Sequence, residues 1–273
     1  MIQIPQFEEK AELFDWLIAN KSALVAQKKA AVKEADIIRY VAPVINDKGE
    51  AVKSIAEIPD TATKIKVRSI INTTKIMDSH SDVHIDQIWN KSLKESKDFY
   101  LVQEHNFCFA GIISREVKAF VKQVSWKDLG FEFEGQTQAL IFDSIIETDK
   151  ETYGYSGGEV NMADQYKKGN VKNHSVGMRY VTLYLCVNDD RYDKEFTNWT
   201  KYIDQVVNRA DAETQGYFWA VTEAKIVEGS AVVKGSNYAT PTQSVEAAKG
   251  TSLDITEPDK STQKKTIIYH NSI

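Results

Sequence analysis

The run Asn173-His174-Ser175-Val176-Gly177-Met178-Arg179-Tyr180-Val181-Thr182-Leu183-Tyr184-Leu185-Cys186-Val187 leaves the chain few choices. Its second half is β-branched and aromatic, alternates with period two and holds no breaker, so it predicts a long strand. Val181, Leu183, Leu185 and Val187 make one aliphatic face, which such a strand must bury. Counting back by twos from Val181 passes Arg179 and Gly177 and reaches Ser175. The head of this core strand therefore carries a hydroxyl, with a glycine two residues on where another chain can come close. Alone, such a serine is a strand-end cap. Two other strand-like stretches give it a second meaning.

In Phe99 to Phe109, one parity holds Phe99, Leu101, Phe107 and Phe109, and His105 falls among them. In Ala224 to Val232, the residues Ala224, Ile226, Ser230 and Val232 share a parity, and Glu228 falls among those. An inward carboxylate is costly unless a charged or hydrogen-bonding group receives it. Three core-type strands thus each place one polar group on the apolar side, and these groups could satisfy one another. A serine hydroxyl is a poor nucleophile until a base takes its proton. An imidazole does that near neutral pH, and a carboxylate fixes the imidazole's tautomer and stabilises its charged form. Alternation makes Ser175, His105 and Glu228 candidates without placing the strands side by side.

The 273 residues include 34 basic and 39 acidic ones, a net charge of −5 with no basic block, which excludes nucleic acid as the primary partner. No apolar run approaches the ~18 residues of a membrane span. Met1-Ile2-Gln3-Ile4-Pro5 lacks the basic and apolar regions of a secretory signal. Cys108 and Cys186 lie in apolar, strand-like sequence and predict small buried hydrophobes in a reducing compartment. The Tyr153–Gly158 loop is glycine-rich but lacks the Lys-Ser/Thr of a phosphate loop, so it predicts flexibility beside a cleft. No cofactor is expected.

Along the chain, residues 7–35 predict helix, with a break at Asn20-Lys21-Ser22 and a polar second piece whose thin stripe of Leu24, Val25 and Val32 suits a partner or another copy. A connector covers 42–62. Strands are expected near 64–71, 75–84, 99–113, 117–124, 138–147, 173–187 and 217–233, with short helices near 85–96, 159–168 and 195–208. After Asn237 the composition turns to Ser, Thr, Pro, Lys, Glu and Ala, which predicts a flexible tail. The expectation is an α+β protein: a helical N-terminal arm and connector (1–62), a small, mostly antiparallel β-barrel with decorating helices (63–240), and the tail (241–273).

Three blocks carry a resemblance to a known family. The first is Met77-Asp78-Ser79-His80-Ser81-Asp82-Val83-His84, then Trp89-Asn90-Lys91-Ser92-Leu93 and Leu101-Val102-Gln103-Glu104-His105. The second runs from Tyr166 through Gly169 to His174-Ser175-Val176-Gly177-Met178. The third is Glu228-Gly229-Ser230-Ala231-Val232-Val233-Lys234-Gly235-Ser236-Asn237-Tyr238-Ala239. In order and spacing they resemble the tailed-phage prohead (capsid maturation) proteases, a family related in fold to herpesvirus assemblin. This chain departs at Ser81, where glycine is frequent, at Gly229, where valine is common, at Lys234-Gly235-Ser236, which replaces a proline-containing turn, and in a charged insertion around Asp189–Lys194.

The resemblance implies a serine endopeptidase inside an assembling procapsid in the bacterial cytoplasm. Ser175 would be the nucleophile, His105 the base and then acid, and Glu228 the group that orients it. Assemblin relatives use a second histidine in that third role, which makes His80 and His84 the alternatives. Substrates would be the phage major capsid and scaffold proteins, with self-association possible and neither nucleic acid nor membrane as partner. A competing expectation is a catalytically silent structural or scaffolding module of the same fold. Asp78, His80, Asp82 and His84 alternate as metal ligands on a strand do, but the resemblance assigns them to a turn before a helix, and no metal is expected.

Overall fold

A computed structural model describes residues 2–30, 54–154 and 158–248. In chain order these form helix α1 (Lys10–Ala30), strands β1 (Ser54–Ile55), β2 (Lys64–Thr73) and β3 (Asp82–His84), helix α2 (Asn90–Glu95), strands β4 (Leu101–Gln103), β5 (Ile112–Ser114), β6 (Glu116–Ser125), β7 (Gln136–Glu147), β8 (Glu151–Tyr153) and β9 (Glu159–Asn161), helix α3 (Met162–Lys167), strand β10 (Asn173–Val187), helices α4 (Asp193–Tyr202) and α5 (Arg209–Gln215), and strands β11 (Tyr217–Val232) and β12 (Thr242–Ala247). The expected helix end at 31–35, most of the connector, residues 155–157 of the glycine-rich loop and the tail from 249 onward lie outside the described residues.

The α+β class stands. The barrel does not close: the described strands make two five-stranded sheets and the β8–β9 ribbon. One sheet is ordered β1-β12-β2-β7-β6; the other is β10-β11-β4-β5, with β3 also on β11. Most ladders are antiparallel, but β3 and β4 join β11 in parallel, as β1 joins β12. The sheets face each other across Val67, Ile71, Phe142, Val176, Leu185 and Trp219, all buried. Instead of a closing ladder, β10 receives α1 and α4.

Several expected elements shift for local reasons. The expected strand 75–84 shrinks to β3 because Lys75 and Ser81 adopt left-handed φ values of 67° and 61°. The Asp78 carboxylate then accepts the N–H groups of His80 and Asp82 at 2.9 and 3.0 Å, a side-chain turn that competes with strand. Helix α1 runs unbroken through Asn20, whose side-chain amide donates back to the Trp16 carbonyl at 2.9 Å. Its partner is the chain's own body: Phe14, Leu17 and Leu24 are buried, each burial worth about 1.5–3 kcal/mol. Lys28 reaches Asp82 at 2.6 Å, and that carboxylate is fully buried, so removing the lysine should cost roughly 3–5 kcal/mol.

Residues 242–247, tail-like in composition, form β12 between β1 and β2, with Thr242 and Val245 buried. Cys186 is buried, but Cys108 is exposed. Among the described residues no helix is long and apolar enough to cross a membrane.

Candidate active site

Strands β10 and β11 pair antiparallel along their lengths, with Ser175 opposite Ser230 and Gly177 opposite Glu228. Directly opposed residues in an antiparallel pair point to the same face, so these four share one side. Which side it is depends on three register shifts. Val227 and Thr222 are unpaired extras in β11, and Val181 is one in β10. Each bulge turns the following side chains over. The core face of β10 therefore reads Val176, Met178, Tyr180 and then, past Val181, Leu183, Leu185, Val187. On β11 it reads Ala224 and Ile226, then Ala231 past Val227. Ser175, Glu228 and Ser230 lie on the opposite side. The parity count from Val181 to Ser175 gives the wrong face, because it crosses a bulge.

His105 arrives by a different route from the one expected. The predicted strand 99–113 stops at Gln103, and the chain turns through Glu104 and His105 with φ of 49° and 57°. Left-handed backbone costs a non-glycine residue about 1–2 kcal/mol, so the turn must be held. The Glu104 N–H donates to the Ala231 carbonyl at 2.9 Å, and the His105 N–H donates to the Ser230 hydroxyl oxygen at 2.7 Å. Phe107 and Phe109, assigned by alternation to the apolar face, are instead 52% and 84% exposed.

The turn delivers the imidazole onto Glu228, with Nδ1 to Oε1 at 2.6 Å and the two side chains only 5% and 3% exposed. The carboxylate accepts the Nδ1 proton, which makes Nε2 the basic nitrogen of the ring. Glycine at 177 makes room for this. A Cβ at Gly177 would lie 2.0 Å from the Glu228 Oε1, so the carboxylate occupies the space above that glycine. On the core face, a Cβ at Gly229 would lie 2.6 Å from the Phe142 ring. Gly177→Ala should thus push the carboxylate off the imidazole and break the 2.6 Å Nδ1–H bond. The far-downfield NMR proton of His105 Nδ1–H in a folded variant checks it; an unmoved proton would show that Glu228 has no fixed seat.

Glu228 is bonded to the His105 ring, while His84, one of the two alternatives, is engaged elsewhere. His84 is buried, its Nδ1 bonded to the Asn72 amide at 2.9 Å and its Nε2 to the Tyr180 hydroxyl at 3.2 Å. Tyr180 belongs to the core face, away from Glu228. Asp82 accepts the same Tyr180 hydroxyl at 2.8 Å, and Asp78 is turned onto the backbone. The alternating quartet therefore does not converge, and the described residues hold no group of three or more ligands that could bind a metal ion. Behind Ser175, a cavity bounded by Asn72, His84, Met178, Ser236 and Asn237 has about 10 Å³, roughly the room for one water.

His174, next to Ser175 in the chain, is fully buried. Its Nδ1–H donates to the Thr240 carbonyl at 3.1 Å, and its Nε2 accepts the Tyr166 hydroxyl at 3.0 Å. Burial pushes its pKa from 6.5 down to about 4, against a smaller raising effect of the Thr240 bond. The unfolded imidazole takes its proton near 6.5 and the folded one only near 4, so stability is full above that upper value and falls as pH drops through the window. The loss by pH 4 should be about 3 kcal/mol. Urea midpoints from pH 7 to 4 read this, and His174→Gln should flatten the slope; an equal slope in both proteins would refute it.

A hydroxyl and a buried carboxylate on one face of β10 and β11, with an imidazole brought onto the carboxylate by a turn, are parts from which a proton-relayed nucleophile can be built. Sequence patterning overlooked Ser230, counted there as a filler of the apolar face. Its signal was the Glu-x-Ser spacing, which puts it beside Glu228 on one side of a strand. No family model, curated protein or solved structure matches the chain.

Proposed function

We propose that the chain is a serine endopeptidase of the prohead-protease type, with an assemblin-like fold, which trims scaffold and capsid proteins inside an assembling procapsid. The observation that carries the reading is the buried His105–Glu228 pair at 2.6 Å, on the face that Ser175 shares by register. A buried imidazole–carboxylate pair is expensive to desolvate and adds little net stability, so its presence beside a strand-end serine calls for a chemical role.

In the proposed cycle Ser175 Oγ attacks the scissile carbonyl while His105 Nε2 takes its proton. Glu228 stabilises the resulting imidazolium and holds the ring's tautomer. The imidazolium then protonates the leaving amine, and water, activated by the same nitrogen, releases the acyl group. The substrate proteins follow from the sequence resemblance alone.

The test uses two probes. Diisopropyl fluorophosphate should form a bond from phosphorus to Ser175 Oγ, with fluoride leaving and the serine proton passing to His105; intact mass and peptide mapping locate the adduct. Co-expression with the capsid and scaffold proteins of the same phage should give shortened products. Absence of both adduct and cleavage in a folded protein would favour the silent structural module instead.

A further inference from the structure

Glu228 and Ser230 stand two residues apart on the same side of β11, and each holds a different part of His105. Glu228 bonds the ring; Ser230 bonds the backbone, accepting the His105 N–H at 2.7 Å. Ser230 is fully buried, and its own hydroxyl proton goes to the Val102 carbonyl at 3.3 Å. That donation leaves the oxygen's lone pair for the N–H of a residue held at left-handed φ, next to a second one. The neighbouring amides of the turn donate to carbonyls, Glu104 to Ala231 and Asn106 to Gln103. The amide of His105 is held by a side chain. Ser230 is also the residue directly opposite Ser175.

We propose that Ser230 is a positioning residue of the site: it locks the left-handed turn that aims the His105 imidazole, and its place opposite Ser175 fixes base and nucleophile to one point of the sheet. The inference rests on reading Ser175, His105 and Glu228 as a hydrolytic triad. Without the hydroxyl oxygen, the His105 N–H is left buried with no acceptor at that position. The strained turn then has reason to relax toward ordinary φ, which swings the ring away while β10 and β11 stay paired. Ser230 contributes no atom to the chemistry, since its proton is already committed to Val102. Its effect belongs to the aim of the base.

The experiment compares wild type with Ser230→Ala and the near-isosteric Ser230→Cys, a weak acceptor that guards against a misfolded alanine variant. The first readout is the second-order rate of Ser175 labelling by diisopropyl fluorophosphate, expected to fall about 10- to 100-fold in the folded variants. The second is the far-downfield NMR proton of His105 Nδ1–H on Glu228, expected to be sharp in wild type and lost or in fast exchange without Ser230. A structural serine elsewhere in the sheet would move neither. Glu104→Asn, which suits left-handed backbone, should restore part of the labelling rate in the Ser230→Ala background; no recovery would place the loss in general packing and overturn the assignment. Wild-type labelling and an unmoved proton in folded Ser230→Ala or Ser230→Cys would overturn it too. If wild type itself takes no label, the hydrolase reading fails, and the NMR proton alone still decides whether Ser230 holds His105.

Discussion

Ser175→Ala should lower peptide-bond turnover by at least about four orders of magnitude while the protein keeps its fold. The strand rests on backbone pairing from Asn173 to Val187, on a core face of Val176, Met178 and Tyr180, and on α1 and α4 packed against it. The serine hydroxyl lies on the other side, so its removal leaves each of these in place. Ser175 is buried at the strand head, but losing its one oxygen should cost only about 1 kcal/mol and move the melting midpoint by a few degrees. The measurement pairs a thermal melt with the cleavage of co-expressed capsid and scaffold proteins. A folded Ser175→Ala protein that still processes them would end the serine-protease reading, because no other group in the proposed relay can form the acyl bond.

The register that makes this prediction possible was only half legible in the sequence. Strands with strong β-branched and aromatic texture, such as Asn173–Val187 and Gln136–Glu147, are visible as alternation. Their bulges are not. Val181 and Val227 look like any other valine in a strand, yet each reverses the faces beyond it. The inference that three polar groups share a side survives because the segments 175–177 and 228–230 lie on one side of both bulges. The claim that this side faces the core does not. His105 was found for a reason that fails: strand parity ends at Gln103, and two non-glycine residues in left-handed backbone leave no compositional mark. At β12 the misreading has another cause. Thr242 is polar by composition, but its hydroxyl donates to the Val171 carbonyl at 2.6 Å, so a buried strand can be built from residues that also make tails.

Glu228→Gln should reduce kcat by about 10³ to 10⁴, the scale set by replacing the triad carboxylate with an amide. The substitution keeps the length and shape of the side chain, so the space over Gly177 stays filled and the strand pairing has no reason to change. What changes is the charge and the proton. A glutamine can offer its amide N–H to Nδ1, which turns the ring into the tautomer whose Nε2 is already protonated and cannot take the serine's proton. With its oxygen toward Nδ1 instead, it still lacks the negative charge that stabilises the imidazolium formed as Ser175 attacks. Both outcomes act on the transition state, so kcat should fall with little change in KM. Glu223→Gln is the matched control: its carboxylate pairs with Lys91 at 3.0 Å, a half-exposed lysine, and its loss should leave kcat within about twofold. The 2.6 Å bond predicts that His105→Ala and Glu228→Gln together cost hardly more than His105→Ala alone, because the carboxylate acts only through the ring. Additive losses in that cycle, or a Glu228→Gln enzyme as fast as Glu223→Gln, would remove Glu228 from the relay and leave its burial beside His105 a matter of structure alone.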